Sequence, residues 1–112
     1  MDEGCCVGLN LEALLDPELF RSLADPVRLQ VVARLAIAGA PQTVTEVQEC
    51  CGVHLSGVSR HLRQLRDAGV VEAQKSGREV RYILRVQALS THLRQLADAL
   101  DAQAAAHKEA SP

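Results

Sequence analysis

SGVSRHLRQLRDAGVVEAQKSGREVRYIL, residues 56–84, is the stretch that decides the fold. Val58, Leu62 and Leu65 recur at helical spacing, Ser56 is suited to cap the start of that helix, and Gly69 is suited to end it. Ser59, Arg60, Arg63 and, further along, Arg66 lie opposite the apolar stripe. Two β-rich runs follow, 70–75 and 79–84, joined by Ser76-Gly77-Arg78, and together they read as a hairpin. Its arms are basic at Lys75, Arg78, Arg81 and Arg85.

Upstream, Asp16-Pro17 opens a first helix with Asp as N-cap and Pro at the first helical position, and Leu19, Leu23 and Phe20 supply its apolar face. Asp25-Pro26 repeats the device for a second helix with Val27, Val31, Val32 and Leu35 on one side, stopped by Gly39 and Pro41. Thr43-Val44-Thr45-Glu46 fits a capping box and starts a short third helix that ends at Gly52, with Val44, Val47 and Cys51 as its core positions. Downstream, Leu89, Leu93, Leu96 and Leu100 make a narrow seam of the coiled-coil kind, which needs a partner helix. The expected organisation is an N-terminal arm over 1–15 carrying Cys5-Cys6, one domain over 16–106, and a disordered polar tail over 107–112. The expected fold class is mainly α with a small β-hairpin.

Composition agrees with that class. A chain of 112 residues with one Phe, one Tyr and no Trp must build its core from Leu, Val, Ile and Ala, which pack well between helices. Such a length supports one domain whose single core is adequate but not generous, so dimerisation would be useful. Met1-Asp2-Glu3 lacks the basic stretch of a secretory signal. The apolar runs, broken by Arg34, Gly39 and Pro41, are shorter than the roughly 18–20 residues needed to span a bilayer. The expectation is a soluble cytoplasmic protein without a membrane partner, whose four cysteines are thiols for metal or redox chemistry and not a disulfide framework.

A net charge of −2 argues by itself against nucleic acid, but the charges are segregated. Residues 1–55 hold three Arg against eight acids, whereas 56–85 hold seven Lys and Arg against three acids. A basic block on an acidic chain is the footprint of phosphate contact; a solvated charged face is the alternative. Third helix, short turn, fourth helix and basic hairpin follow in the order of a winged helix-turn-helix. Small residues at the start of the fourth helix, Ser56, Gly57 and Ser59, allow close approach to base edges, and Arg60, Arg63 and Arg66 reach phosphate or guanine. Gln64 completes the candidate DNA surface on that helix, His61 reads as packing or DNA contact, and Lys75, Arg78 and Arg81 form the surface on the wing. A helical hairpin with solvated arginines is the competing reading. No Cys-His-Asp set, glycine-rich phosphate loop or paired carboxylates suggest an enzyme.

The segment LFRSLADPVRLQVVARL, residues 19–35, together with VSRHL at 58–62 and Gly77-Arg78 followed by Tyr82, resembles the ArsR/SmtB family of metal-responsive repressors over about residues 17–100. The resemblance implies a homodimer formed by the first and last helices, binding to an operator that is an inverted repeat, and release when metal binds. It implies sensor positions that this chain leaves empty. A two-cysteine site early in the third helix falls on Thr43 and Thr45, and an Asp-x-His site in the last helix falls on Val86 and Ala88.

The remaining thiols are two vicinal pairs, Cys5-Cys6 in the arm and Cys50-Cys51 at the end of the third helix. Adjacent Cα atoms about 3.8 Å apart are too close for an unstrained disulfide. Thiolates select soft acceptors, so As(III) and Sb(III) lead, with Hg(II), Cd(II) and Cu(I) as alternatives. Cys50 points away from the Val44–Val47 stripe and is the better ligand of its pair, while Cys51 divides between ligand and core. His54 offers a nitrogen or is a solvated turn residue; His92 and His107 read as exposed. Thiol redox or persulfide sensing on the same scaffold is the alternative function.

Overall fold

The computed structural model describes residues 11–51 and 55–110. They form two compact units, one over Pro17–Val86 and one that combines the segment before Pro17 with the chain from Gln87 onward. The first contains α1 (Pro17–Leu23), α2 (Pro26–Ala38), β1 (Gln42–Thr43), α3 (Val44–Cys51), α4 (Leu55–Asp67), β2 (Val71–Ser76) and β3 (Glu79–Leu84). It also supplies the first residue of α5 (Val86–Ala110).

Local chemistry sets the helix ends. At α2 the Asp25 carboxylate accepts from the backbone N–H groups of Val27 (2.8 Å) and Arg28 (3.2 Å), with Pro26 next in line, as the Asp-Pro device requires. The Arg28 N–H bond is the main reason this carboxyl is held below its ordinary value of 3.8. Gly39 closes the helix at φ 62°, its N–H donating to the Leu35 carbonyl at 3.2 Å. At α3 the capping box is reciprocal. Thr43 N–H donates to Glu46 Oε1 at 2.8 Å, and Glu46 N–H donates to Thr43 Oγ1 at 3.2 Å.

The hairpin is antiparallel with Ser76 paired to Glu79, so its turn holds only Gly77 and Arg78. Gly77 has φ 62° while Arg78 keeps a negative φ, the type II′ arrangement that suits the twist of two strands. Strand β2 therefore runs over Val71–Ser76, one residue later than expected. The hairpin is also not isolated. Gln42 and Thr43 pair with Tyr82 and Arg81, giving a three-stranded sheet in the order β1-β3-β2. A two-residue strand carries no periodicity, so pattern reading has nothing to detect. Between α4 and β2 the chain turns through Gly69 at φ 82°, and Val70 N–H bonds to the Leu65 carbonyl at 2.9 Å.

The core of this unit is mostly aliphatic, with Tyr82 of β3 and Ser22 of α1 also buried. Val31 and Leu35 from α2, Val47 from α3, Val58, Leu62 and Leu65 from α4, and Val70 and Val71 at the sheet are all fully buried. Leu19 of α1 is buried as expected, but Phe20 is 37% exposed.

In the second unit, residues 11–14 are helical, although the sequence reading placed them in the arm. Leu14 and Leu96 are buried there, and His92 Nε2 donates to the Leu14 carbonyl at 2.7 Å. His92 is thus half-buried and bonded, contrary to the exposed placement expected of it. The α5 helix continues to Ala110, through part of the segment expected to be disordered; its Ala-rich last turns are strong helix formers. Along its seam Leu89 is half-buried, while Leu93 and Leu100 are 43% and 49% exposed. Among the described residues no helix is long and apolar enough to cross a membrane.

Candidate nucleic-acid interface

The fully buried stripe Val58, Leu62 and Leu65 fixes which way α4 faces. With three apolar residues locked inward at helical spacing, the side chains about half a turn away must point out. Arg60 and Arg63 are exposed accordingly, and Gly57 and Ser59 are half-buried near the helix start. The helix begins at Leu55, so Ser56 sits inside the first turn and is not the cap residue expected from the sequence. Arg66 is also exposed but forms an ion pair with its neighbour Asp67 at 3.1 Å, a surface pair too weak to withhold it from a stronger anion.

The two remaining candidates on α4 turn elsewhere. The Gln64 side-chain carbonyl accepts from Arg28 Nη1, and His61 Nδ1 lies 3.3 Å from the same nitrogen. A guanidinium only donates, so His61 Nδ1 takes the acceptor's place in this contact. The other nitrogens of Arg28 bind the end of α1: Nε donates to the Ser22 carbonyl at 2.6 Å and Nη2 to the Arg21 carbonyl at 3.2 Å. Sequence reasoning gave Arg28 no role beyond its place in the segment that resembles the family. The usable signal was the Asp25-Pro26 cap just before it, which fixes Arg28 in the first turn of α2 beside the end of α1.

On the wing, Lys75 and Arg78 are exposed. Arg81, expected to contact DNA with them, is held by two carboxylates, Glu79 at 3.0 Å and Glu46 at 3.5 Å. It ties β3 to the capping residue of α3. Glu46 is itself held below its ordinary value of 4.5, chiefly by the Thr43 N–H bond, with the Thr43 hydroxyl, Arg81 and Arg34 adding to the effect. Arg85 is used within the fold, donating from Nη1 to the Gly69 carbonyl at 3.2 Å. The exposed candidate cations thus form two groups, Arg60, Arg63 and Arg66 on α4 and Lys75 and Arg78 at the wing tip.

Cys5, Cys6 and His54 lie outside the described residues, as do the side chains of Cys50, Cys51 and Ser56. The backbone places Cys50 and Cys51 in the last turn of α3, immediately before the link to α4. Among the described residues, no group of three or more His, Cys, Asp or Glu is placed to hold a metal ion. The Thr43 position is occupied structurally, since both its N–H and its hydroxyl serve the capping box. Val86 and Ala88 offer no donor atoms in their side chains. The donor chemistry that this chain has for a soft ion is in its four cysteines.

Comparisons with known proteins agree with this geometry. A helix-turn-helix domain family matches residues 23–74. The chain is 37% identical over 78 residues to the HTH-type transcriptional regulator NmtR of Mycobacterium tuberculosis, covering 70% of this chain and 60% of that protein. It is 30% identical over 76 residues to the HTH-type transcriptional regulator YceK of Bacillus subtilis, covering 68% of this chain and 76% of the relative. Its similarity therefore spans well short of the full length of these relatives. Among solved structures, an ArsR-like transcriptional regulator from Rhodococcus sp. RHA1 superposes with a TM-score of 0.68 at 26% identity, over 92% of this chain and 93% of the other. With the winged helix-turn-helix order, the buried stripe of α4 and these relatives in agreement, the chain belongs to the ArsR/SmtB family of transcriptional regulators.

Proposed function

We propose that this chain is a DNA-binding repressor of a metal or metalloid resistance operon, released from an inverted-repeat operator when a soft ion binds its cysteine thiolates. The observation that carries the DNA half is the outward face of α4, where Arg60 and Arg63 stand exposed on a helix whose opposite face is fully buried. A rigid helix presenting guanidinium groups suits the major groove, and the exposed Lys75 and Arg78 at the wing tip suit the flanking backbone. A homodimer supplies two such helices. A homodimeric winged helix-turn-helix domain from Mycobacterium bovis, 25% identical with a TM-score of 0.59, supports that assembly, and the half-exposed leucine seam of α5 is the surface for it.

For the inducer, relatives bear names that point to thiophilic ions. They include a probable mercury resistance operon repressor of Streptomyces lividans, an arsenic resistance transcriptional regulator of Pseudomonas putida, and an antimony-specific transcriptional repressor. Cys5, Cys6 and Cys50 are the residues we assign as ligands, with Cys51 and His54 as further donors; As(III) and Sb(III) suit a set of thiolates best. Cys50 lies at one end of α3, while Glu46 near the other end is bonded to Arg81 of β3. A pull on the last turn of α3 therefore acts on the link to α4 and, through Glu46, on the wing. This is coupling through a two-state dimer.

Fluorescence anisotropy tests the proposal. A duplex selected from a random pool by the chain itself is bound in excess reductant, then titrated with As(III), Sb(III), Hg(II), Cd(II), Cu(I) and Zn(II), for wild type and for Cys5→Ser and Cys50→Ser. The expected result is release of the wild type by a thiophilic ion, with both variants needing at least tenfold more. If no ion weakens binding and peroxide without metal does, the redox reading replaces this one.

A further inference from the structure

Arg28 makes contacts that neither DNA binding nor ion sensing uses. It rises from the first turn of α2, and its guanidinium joins two separate elements: the Ser22 and Arg21 carbonyls at the end of α1, and the Gln64 and His61 side chains of α4. The carbonyls it meets are among those a helix end leaves without intrahelical partners. Beside this junction α1 and α4 meet only in part. An open cleft of about 200 Å³ lies there, with Glu18, Arg28 and Asp67 on its walls. Where apolar packing leaves a gap, a forked side chain spans it.

We infer that Arg28 is a positioning residue for DNA recognition, a clamp that fixes the rotation and tilt of α4 against the α1–α2 elbow. The inference rests on the reading of α4 as the recognition helix. The buried stripe holds α4 by Val58, Leu62 and Leu65, but packing of aliphatic residues tolerates small rolls of a helix about its axis. Hydrogen bonds to Gln64 and His61 do not, because they weaken steeply with distance and angle. A roll of α4 would move Arg60 and Arg63 sideways relative to base edges, so the clamp protects discrimination between sequences more than it protects attraction to phosphate.

The guanidinium is suited to this and an ammonium is not. Arg has five N–H donors on a planar fork, so it can serve acceptors on two sides at once; Lys has one donor atom on a flexible stem. Arg28→Lys keeps the charge and most of the stem, and loses the span. The clamp also gives a role to Gln64, which reads in the sequence as a DNA contact, and to His61, which reads as packing or DNA contact: in the fold both meet Arg28.

The test compares a selected duplex with a scrambled duplex of the same length, for wild type, Arg28→Lys, Gln64→Ala, the double variant and Arg63→Ala. Thermal unfolding followed by circular dichroism establishes that each variant is folded at the assay temperature. Arg28→Lys is expected to reduce the preference for the selected duplex by tenfold or more. Its affinity for the scrambled duplex, and the salt dependence of that affinity, stay as in wild type. Gln64→Ala, which removes the α4 acceptor and leaves Arg28 in place, changes the preference in the same direction, and the double variant loses no more than the larger single effect. Arg63→Ala instead lowers the salt slope by about one. If Arg28→Lys leaves the preference within twofold of wild type, or if it lowers the salt slope as Arg63→Ala does, the positioning role is wrong while the DNA reading stands. If the wild type binds neither duplex, the DNA reading fails and takes the clamp with it.

Discussion

The inner face of α4 and the seam of α5 are written in nearly the same alphabet, aliphatic residues at helical spacing, yet they end in different places. Val58, Leu62 and Leu65 have no exposed surface, whereas Leu93 and Leu100 keep 43% and 49% of theirs. The difference lies in what each helix meets within its own unit. In the unit of α4, residues of α2, α3 and the sheet are buried with it, nearly all of them aliphatic. In the other unit, Leu14 and Leu96 are buried, and the outer leucines of α5 are left over. One stripe is a finished core, and the other keeps the exposed leucines that the homodimer proposed above would cover.

The largest effect that would break this contrast is at Leu62. Leu62→Ala removes a fully buried side chain and should cost about 2–5 kcal/mol, read as a lower midpoint in urea unfolding. Leu93→Glu should instead leave the urea midpoint of the monomer nearly unchanged and abolish dimerisation. Sedimentation should then show a monomer, with a melting temperature that no longer rises with protein concentration. A Leu93→Glu variant that remains dimeric would show that the α5 seam is not the interface.

A smaller effect concerns charge at the α3 cap. The Glu46 carboxyl is held below 4.5 in the folded chain, first by the Thr43 N–H, so its ionised form binds the folded state more strongly than the unfolded one. That contribution is present above the unfolded value and disappears as pH falls through the folded one. Glu46→Gln keeps a capping acceptor without the charge. The stability difference between wild type and Glu46→Gln should be constant from pH 7 down to about 5, then shrink toward zero at lower pH. A difference that stays constant down to about pH 2 would show that the charge is not what matters there.

The parts of the fold that local chemistry dictates were legible in the sequence. Asp25-Pro26, Gly39, the Thr43–Glu46 box and the Gly77 turn each announce a backbone geometry, and all four appear in the structure. The inward stripe of α4 was equally plain, since three residues at helical spacing must share a face. What sequence could not supply was tertiary partnership. Arg81 reads as a wing cation, and the fold adds that Glu46, 35 positions away, lies beside it. Gln64 reads as a DNA contact and His61 as packing or DNA contact, and the fold adds Arg28 of α2 beside both. Polar side chains on a helix flank can serve solvent, ligand or a neighbouring element, and only the fold chooses among them. The β1 strand was missed for a related reason, because two residues become a strand only by pairing with β3.

The claim on which the rest depends is that the outward face of α4 holds DNA through its arginines. The most direct measurement is the affinity for a selected duplex by fluorescence anisotropy from about 50 to 200 mM salt, for wild type, Arg60→Ala and Arg63→Ala. The affinity of the wild type should fall steeply along a straight line of log K against log salt, and each variant should lower that slope by about one. An affinity that is flat with salt, or a slope that neither substitution changes, would contradict the assignment of this face to DNA.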